Sequence, residues 1–244
     1  MATAARPRPK SRRAKQRASF RPIRFFVRLV VGLFLVSVLW VLAYRFVPPP
    51  FTFTMLGDVL AGRSVTKEWI PLSRIDPNMA RAVIAAEDSR FCSHHGFDVD
   101  AIAAAAIRNA SGGKIVRGGS TISQQTAKNA FLWQGGGYFR KGLEAYFTVL
   151  VEAIWGKRRI MEVYLNLAET GIGTYGVNAG AQRYFRHEAA RLSPVEAARI
   201  AAVLPLPKKR AGAAPTGYTR RYGNTILRRA AIVRRDALDA CLRQ

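Results

Sequence analysis

The sequence of 244 residues is short of acidic residues, cysteine and histidine. Fifteen Asp and Glu stand against 39 Lys and Arg, so the chain carries a formal net charge of +24 at pH 7. This excess predicts an anionic partner, whether nucleic acid, a phosphate-bearing substrate or a membrane surface. The only cysteines, Cys92 and Cys241, are too few for a disulfide framework. They could pair if the fold brought them together, but we expect two unpaired thiols.

Sustained alternation of apolar and polar residues, which half-buried strands require, is absent from the sequence, so we predict a mainly α domain. Asp76 and Pro77 begin a helix that ends near Glu87 and Asp88. Thr121–Gln124 and Ser193–Glu196 fit capping boxes at two further helix starts. Other helices are predicted at about 101–109, 138–155, 160–167 and 219–242. Glycine-rich loops are predicted at 112–119, which is basic and mobile, at 134–137 and at 169–177.

One long hydrophobic run extends for 23 residues from Phe25 to Val47, with Arg28 and Arg45 near its ends. About 20 apolar residues are enough to span a bilayer. No small-x-small cleavage pattern precedes the prolines at 48–50, so we interpret the run as an uncleaved anchor and not as a signal peptide.

The charge around this run predicts its orientation. Residues 1–28 hold ten basic side chains and no acidic one, whereas only Arg45 follows the run closely. The positive-inside rule then places the N-terminus in the cytoplasm. We predict a basic cytoplasmic tail at 1–24, a transmembrane helix at 25–47 and an exported domain at 48–244. Nucleic acid is therefore not expected as a partner.

The pair Glu87 and Asp88 stands at the C-terminal end of its predicted helix. Because that end already carries a partial negative charge, the pKa of Glu87 should be raised, which would make it a better proton acceptor near neutral pH. The alternative is a solvated pair of acids at a helix end, without chemistry.

Polar residues also lie at helical spacing further along the chain. Thr121, Gln125 and Lys128 fall on one face of a helix that follows a glycine-rich loop, where anions bind readily. Arg140 and Glu144 are one turn apart. The alternatives are a solvent-facing stripe and a surface ion pair worth a few tenths of a kcal/mol.

Taken together, these motifs resemble the signatures of the peptidoglycan glycosyltransferases. The stretches that carry the resemblance are Glu87-Asp88-x-x-Phe91-x-x-His94-x-Gly96-x-Asp98, Gly118-Gly-Ser-Thr-Ile-Ser-Gln-Gln-x-x-Lys128-Asn129, Arg140-Lys141-x-x-Glu144, Lys157-x-x-Ile160-x-Glu162-x-Tyr164-Leu-Asn166, Gly173-x-Tyr175-Gly-Val177 and Leu192-Ser-x-x-Glu196-Ala-Ala. They cover roughly residues 60–210 in the family's order. Ser123 stands where the family usually has threonine, and Cys92 is at a variable position. Residues 1–28 and those beyond about 210 match no motif.

The resemblance implies a lysozyme-like helical glycosyltransferase domain with a smaller membrane-proximal lobe, preceded by one transmembrane helix. Too few C-terminal residues remain for a penicillin-binding domain, so the monofunctional biosynthetic form is expected. Its substrates would be lipid II and the growing glycan strand, joined by a β-1,4 bond with inversion and release of polyprenyl pyrophosphate. The domain would be periplasmic and held on the inner membrane, where proteins of cell-wall synthesis or division could be partners.

The same resemblance assigns the site. The candidate catalytic residues are Glu87, as general base on the acceptor 4-hydroxyl, and Glu144. The candidate substrate-binding residues are Asp88, Phe91, His94, Ser120, Thr121, Gln124, Gln125, Lys128, Asn129, Arg140 and Lys141. A pyrophosphate leaving group needs its charge neutralised more than it needs a proton, so cations should replace a general acid. Lys128, Arg140 and Lys141 are the candidate clamps. Glu144 could act in the chemistry, orient Arg140 or help to hold a divalent cation.

Metal chemistry has little support in the sequence. His94 and His95 are adjacent, and His187 is far along the chain, which does not make a zinc site. We expect His94 to form a hydrogen bond within the first motif. No cofactor is required, although Mg²⁺ or Mn²⁺ could bridge the pyrophosphate without a dedicated cage of protein ligands.

Two alternative functions are also considered for this sequence. A lysozyme-like hydrolase or lytic transglycosylase is also helical and depends on a glutamate, but it needs a raised-pKa acid and no phosphate clamps. A non-enzymatic binder of anionic surfaces would be sensitive to salt and indifferent to neutralisation of Glu87.

Overall fold

The computed structural model describes residues 13–110 and 119–243, and side chains for 22–107 and 119–243. The first half of the predicted basic tail and most of the glycine-rich loop at 112–119 lie outside these residues. The chain forms two compact units that divide between Ala43 and Tyr44. Helix α1, Arg13–Phe46, provides the first unit. Its 25-residue stretch Pro22–Phe46, which contains an 18-residue window of mean hydropathy 2.6, is the only helical segment of the described ranges long and apolar enough to cross a membrane.

The second unit is mainly helical, which confirms the predicted fold class. Its α-helices are α2 (Phe53–Leu60), α3 (Pro77–Glu87), α4 (Val99–Ala110), α5 (Ile122–Phe131), α6 (Gly137–Ile154), α7 (Lys157–Leu167), α8 (Val177–Phe185), α9 (Pro194–Val203) and α10 (Gly217–Arg235). Short 3₁₀ helices cover Leu72–Arg74, Ala189–Arg191 and Ala240–Leu242. The predicted helices therefore exist, with ends that differ by a few residues, and the C-terminal helix stops earlier than expected.

Local side-chain hydrogen bonds explain where three helices begin. Asp76 accepts a hydrogen bond from the Asn78 N–H at 2.8 Å and caps α3. Thr121 and Ser193 complete the predicted capping boxes of α5 and α9. Each of these caps satisfies N–H groups that the first turn of a helix leaves without a partner.

The core lies where α3, α5, α7, α9 and α10 pack together. Helix α10 packs on α9 and α3, while α5 packs on α6 and α7. Val83, Ile160 and Ile200, from three different helices, have no exposed surface. Because α3 and α5 are both anchored in this core, the ends that carry the predicted site are held at fixed positions.

The prediction of a loop at 169–177 is wrong, because this segment contributes to a small sheet. Strands β1 (Thr66–Lys67), β2 (Glu169–Gly171) and β3 (Thr174–Tyr175) pair in the order β1-β3-β2, with β1 parallel and β2 antiparallel to β3. Strands of two or three residues are too short to show an alternating pattern. Gly173, at φ +64°, forms the turn, and a Cβ there would lie 2.1 Å from the Ser64 carbonyl oxygen.

The expectation of two free thiols is also wrong. Cys92 and Cys241 form a disulfide across 149 residues of sequence. The residue before the 3₁₀ helix at 240–242 is held against α3, since the buried carboxylate of Asp239 accepts a hydrogen bond from Arg81 Nε at 2.9 Å. Arg158, on α7, donates a second hydrogen bond to this segment, to the Leu242 carbonyl at 2.9 Å. Sequence spacing could not show this pairing, because tertiary contacts create it.

The disulfide predicts a dependence of stability on redox conditions. The double substitution Cys92→Ser with Cys241→Ser should lower the free energy of unfolding by about 2–5 kcal/mol, the usual cost of losing a native cross-link. Urea unfolding in detergent, with and without dithiothreitol, measures it. Reductant should destabilise the natural protein and leave the double variant unchanged. Equal unfolding midpoints for the two proteins would contradict the prediction.

Candidate active site

Glu87 is the last residue of α3, and its carboxylate is largely buried. Its Oε2 accepts a hydrogen bond from Gln125 Nε2 on α5 at 2.9 Å. Burial raises the pKa of Glu87, while this hydrogen bond and the positive charges of Lys128 and Arg210 act in the opposite direction. The predicted direction of the shift is confirmed, with burial as its first cause. A general base must be ionised to accept a proton, so activity should be lost when the pH falls below the pKa of Glu87.

Asp88 directs its carboxylate away from solvent and joins α3 to α5. Its oxygens lie 2.9 and 3.0 Å from His94 Nε2, and one of them accepts the Ile122 N–H at 3.0 Å. His94 Nδ1 accepts the Gly96 N–H at 3.1 Å, so the ring proton is on Nε2 and is donated to Asp88. The expected hydrogen bond of His94 within the first motif is present.

The rest of the first motif packs tightly beneath the site. Phe91 has no exposed surface, and Lys157 Nζ lies 4.6 Å from the centre of its ring. Gly96 has a φ of +91°, and a Cβ there would lie 2.8 Å from Thr148 Cγ2. Thr121 Oγ1 donates to the Gly96 carbonyl at 2.6 Å. This turn therefore requires glycine, and it holds the start of α5 against the end of α3.

Five of the predicted substrate-binding residues are thus buried in contacts within the protein. They are Asp88, Phe91, His94, Thr121 and Gln124. Gln124 accepts the Thr121 N–H at 3.0 Å as part of the capping box. Their geometry supports a structural contribution to the site. The predicted residues with surface available to a ligand are Ser120, Gln125, Lys128, Asn129, Arg140 and Lys141.

A buried glutamate forms ion pairs with two of the three candidate clamps. Glu144 is 3% exposed, and its Oε2 accepts Arg140 Nη1 at 2.7 Å while Lys141 donates to Oε1. Lys141 also donates to Ser120 Oγ at 3.2 Å, which ties α6 to the residues before α5. Burial lowers the pKa of Lys128, and the nearby charges of Arg140 and Lys141 lower it further. Glu144 and Glu87 oppose this effect, so Lys128 lies within electrostatic reach of both glutamates.

Two cavities are lined by residues of the predicted site. One, of about 380 Å³, is lined by Gln125, Lys128 and Asn129 together with residues of the segment 204–209. The other, of about 420 Å³, is lined by Glu87 and Ser120 and by residues of α10. The hydrogen bond between Gln125 and Glu87 connects them. The arrangement can therefore hold two ligands, one beside the carboxylate and one beside the Lys128 ammonium.

The side chains that the structure describes were not found to include a cluster of metal ligands. Across residues 22–107 and 119–243, no three His, Cys, Asp or Glu residues are placed to hold an ion together. Both carboxylate oxygens of Glu144 are already engaged by cations. Neither oxygen of Glu144 is therefore left to coordinate an ion, and a divalent cation carried by the pyrophosphate stays a prediction.

Three residues close to Glu87 were not among the predicted site residues. The charge of Arg210 favours the ionised form of Glu87, while burial and then the charge of Glu87 raise the pKa of the Tyr164 and Tyr222 hydroxyls. Tyr164 belongs to the motif at Lys157–Asn166, but no role was predicted for it. Arg210 and Tyr222 lie at or beyond the end of the sequence motifs, which reach to about residue 210, and the only signal there was the basic character of the C-terminal segment.

A helical domain with a largely buried carboxylate near a group of cations is the arrangement expected of a glycosyltransferase. Comparison with known proteins gives the family. Residues 54–231 match the Transglycosylase family model. Over 223 residues the chain is 50% identical to the biosynthetic peptidoglycan transglycosylase of Caulobacter vibrioides, covering 90% of this chain and 97% of that protein. The chain belongs to the transglycosylase family.

Other relatives agree with this assignment. The biosynthetic peptidoglycan transglycosylase of Rhodospirillum centenum is 50% identical over 91% of this chain and 96% of its own length. That of Xanthomonas campestris pv. campestris is 45% identical over 93% of this chain and 91% of its own length.

The geometry predicts that Glu144 has a structural role, which is to hold Arg140 and Lys141 in place. Glu144→Gln should lower the free energy of unfolding by about 3 kcal/mol, because it leaves Arg140 and Lys141 without their buried counter-charge. Chemical unfolding in detergent measures this. Glu188→Gln is the matched control, since Glu188 pairs with Arg74 at 3.8 Å on the surface and should cost less than about 1 kcal/mol. Equal effects of the two substitutions would show that Glu144 has no such structural role.

Proposed function

We propose that this chain polymerises lipid II into the β-1,4-linked glycan strands of peptidoglycan and releases polyprenyl pyrophosphate. The names of its relatives support peptidoglycan as the product. The single observation that carries the proposal is the placement of Glu87. Its buried carboxylate borders one cavity, and it is joined through Gln125 to a second cavity that is lined by Lys128.

In the proposed reaction Glu87 is the general base. The acceptor sugar lies in the cavity beside Glu87, which takes the proton of the 4-hydroxyl as its oxygen attacks the anomeric carbon of the donor. The bond from that carbon to the α-linked pyrophosphate breaks, and the pyrophosphate leaves with the electron pair. Attack from the opposite face inverts the configuration and gives the β-1,4 bond. Burial supports this role because it raises the pKa of the carboxyl toward the working pH.

The cations have the complementary role of stabilising the departing charge. Lys128 borders the cavity assigned to the donor. Arg140 and Lys141 are close enough to affect its pKa. Charged donors that are fixed before the reaction stabilise charge that develops in the transition state without further reorganisation. Glu144 would hold Arg140 and Lys141 in this arrangement and would not itself touch the reacting atoms.

Two independent features support the proposed location at the outer face of a membrane. The apolar stretch Pro22–Phe46 suits a single-pass anchor, and the basic residues before it favour a cytoplasmic N-terminus. The disulfide between Cys92 and Cys241 favours an oxidising compartment such as the periplasm. An anchored enzyme on that face of the inner membrane would meet a lipid-linked substrate directly. Proteins of cell-wall synthesis or division remain expected partners.

Neutralising the base should stop the reaction. Glu87→Gln should reduce polymerisation of lipid II by about a hundredfold or more, since it removes proton acceptance and leaves the shape of the side chain. Gel analysis of glycan strands from the purified full-length chain measures this. Glu68→Gln makes the same chemical change at an exposed position and should be without effect. Near-normal turnover of Glu87→Gln would contradict the assignment.

The same assay separates the rival functions. A hydrolase or lytic transglycosylase would degrade purified cell wall, whereas the proposed enzyme leaves it intact and makes strands from lipid II. A binder of anionic surfaces would make no strands at all.

Removing a cation should impair both binding and chemistry. Lys128→Ala should lower kcat/KM by about a hundredfold, with a higher KM and a lower kcat, because the ammonium acts on the pyrophosphate in both states. Steady-state kinetics with labelled lipid II measures this. Lys128→Arg keeps the charge and should recover part of the activity, while Arg234→Ala, on an exposed site of α10, controls for net charge. Unchanged kinetics for Lys128→Ala would remove this residue from the site.

A further inference from the structure

The C-terminal part of the chain contributes a cluster beside Glu87. Arg210 follows α9, and Tyr218 and Tyr222 are one turn apart on α10; we call these three the arginine–tyrosine cluster. The two rings stack with centres 5.8 Å apart and planes 20° apart. The Arg210 guanidinium carbon lies 5.1 Å from the Tyr218 ring centre and 5.8 Å from that of Tyr222. Arg210 also donates to the Ala202 carbonyl at 2.7 Å. Its position is therefore fixed from two sides.

Tyr222 links this cluster to the backbone of α3. Its hydroxyl donates to the Ala86 carbonyl at 3.1 Å. Ala86 directly precedes Glu87, and the last four carbonyls of a helix have no partner within that helix. Tyr222 satisfies one of these carbonyls from α10, which packs along α3. The hydrogen bond therefore restrains the final turn of α3, on which the orientation of Glu87 depends.

Arg210 adds a positive charge that acts on Glu87 and comes from outside the helices that carry the candidate clamps. The charged and titratable groups that act on Glu87 or respond to it are Asp88 beside it, Lys128 on α5, Tyr164 on α7, Tyr222 on α10 and Arg210. Among them Asp88 disfavours the ionised carboxylate, whereas Lys128 and Arg210 favour it. Lys128 lines the cavity that we assign to the donor. Arg210 is held against tyrosines and a carbonyl, so its charge does not depend on a bound ligand.

We propose that the arginine–tyrosine cluster positions the general base: Tyr222 fixes the backbone in front of Glu87, and Arg210 keeps a permanent positive charge beside its carboxyl. Both are positioning residues that touch no reacting atom. The proposal rests on the proposed function, because it assigns the C-terminal segment to the same site.

The test compares Tyr222→Phe, Arg210→Gln and Arg210→Lys in the full-length protein. Tyr222→Phe keeps the ring stack and loses only the hydrogen bond to Ala86. Its kcat should fall about fivefold or more, with KM little changed. Arg210→Gln should move the acid limb of the pH profile of kcat/KM to higher pH, and Arg210→Lys should bring it back. Arg221→Gln is the matched control, since Arg221 is an exposed arginine on α10. Its profile should follow that of the natural protein.

Hydrogen exchange gives a readout that does not depend on turnover. Amides in the last turn of α3, residues 84–88, should exchange faster in Tyr222→Phe, while the thermal unfolding midpoint stays close to that of the natural protein. Polymerisation of lipid II by the natural protein tests the proposed function separately. Unchanged exchange, together with pH profiles that superimpose for all variants, would overturn the proposal for the cluster even if glycan strands are made.

Discussion

Burial of one carboxylate is the constraint on which the rest of the site depends. Glu87 lies at the end of a core helix, where removal from water raises its pKa and so favours the protonated form. A protonated glutamate cannot accept a proton, so the surroundings must restore part of the stability of the charged form. Gln125 does this with a hydrogen bond, and Lys128 and Arg210 with charge. The result is a base that is stronger than an exposed glutamate and still ionisable.

The polar residues of the motifs divide into two groups by burial. Asp88 and His94 bond to each other and to backbone groups, which holds α3 against α5. Glu144 in the same way holds Arg140 and Lys141 together. The first buried acid holds two helices of the site together, and the second restrains side chains that keep surface open to a ligand. The chemistry of the site therefore depends on residues that need not meet the substrate, which explains why so many polar side chains of these motifs have little exposed surface.

How much of the structure could be predicted from the sequence depends on how far apart along the chain the interacting residues lie. The caps at Asp76, Thr121 and Ser193 were predictable because donor and acceptor lie within three residues of each other. The direction of the pKa shift of Glu87 was also predictable, although its main cause, burial by packed helices, was not. The pairing of Cys92 with Cys241 was missed because 149 residues separate them.

The small sheet and the C-terminal part of the site likewise could not be predicted from local sequence patterns. The strands at 169–171 and 174–175 are too short for a periodic pattern. Arg210 and Tyr222 reach Glu87 only because α10 packs along α3. No local signal separates these two residues from the other basic and aromatic residues of a strongly basic segment.

Titration of the Glu87 carboxyl by carbon-13 NMR tests the central claim most directly. The full-length protein would carry glutamate labelled at the side-chain carboxyl, and the signal absent from Glu87→Gln would identify the residue. The account predicts a midpoint above 4.5, the ordinary value for this side chain, with the carboxylate ionised near neutral pH. A midpoint at or below 4.5 would show that burial does not control this group, and would contradict the account.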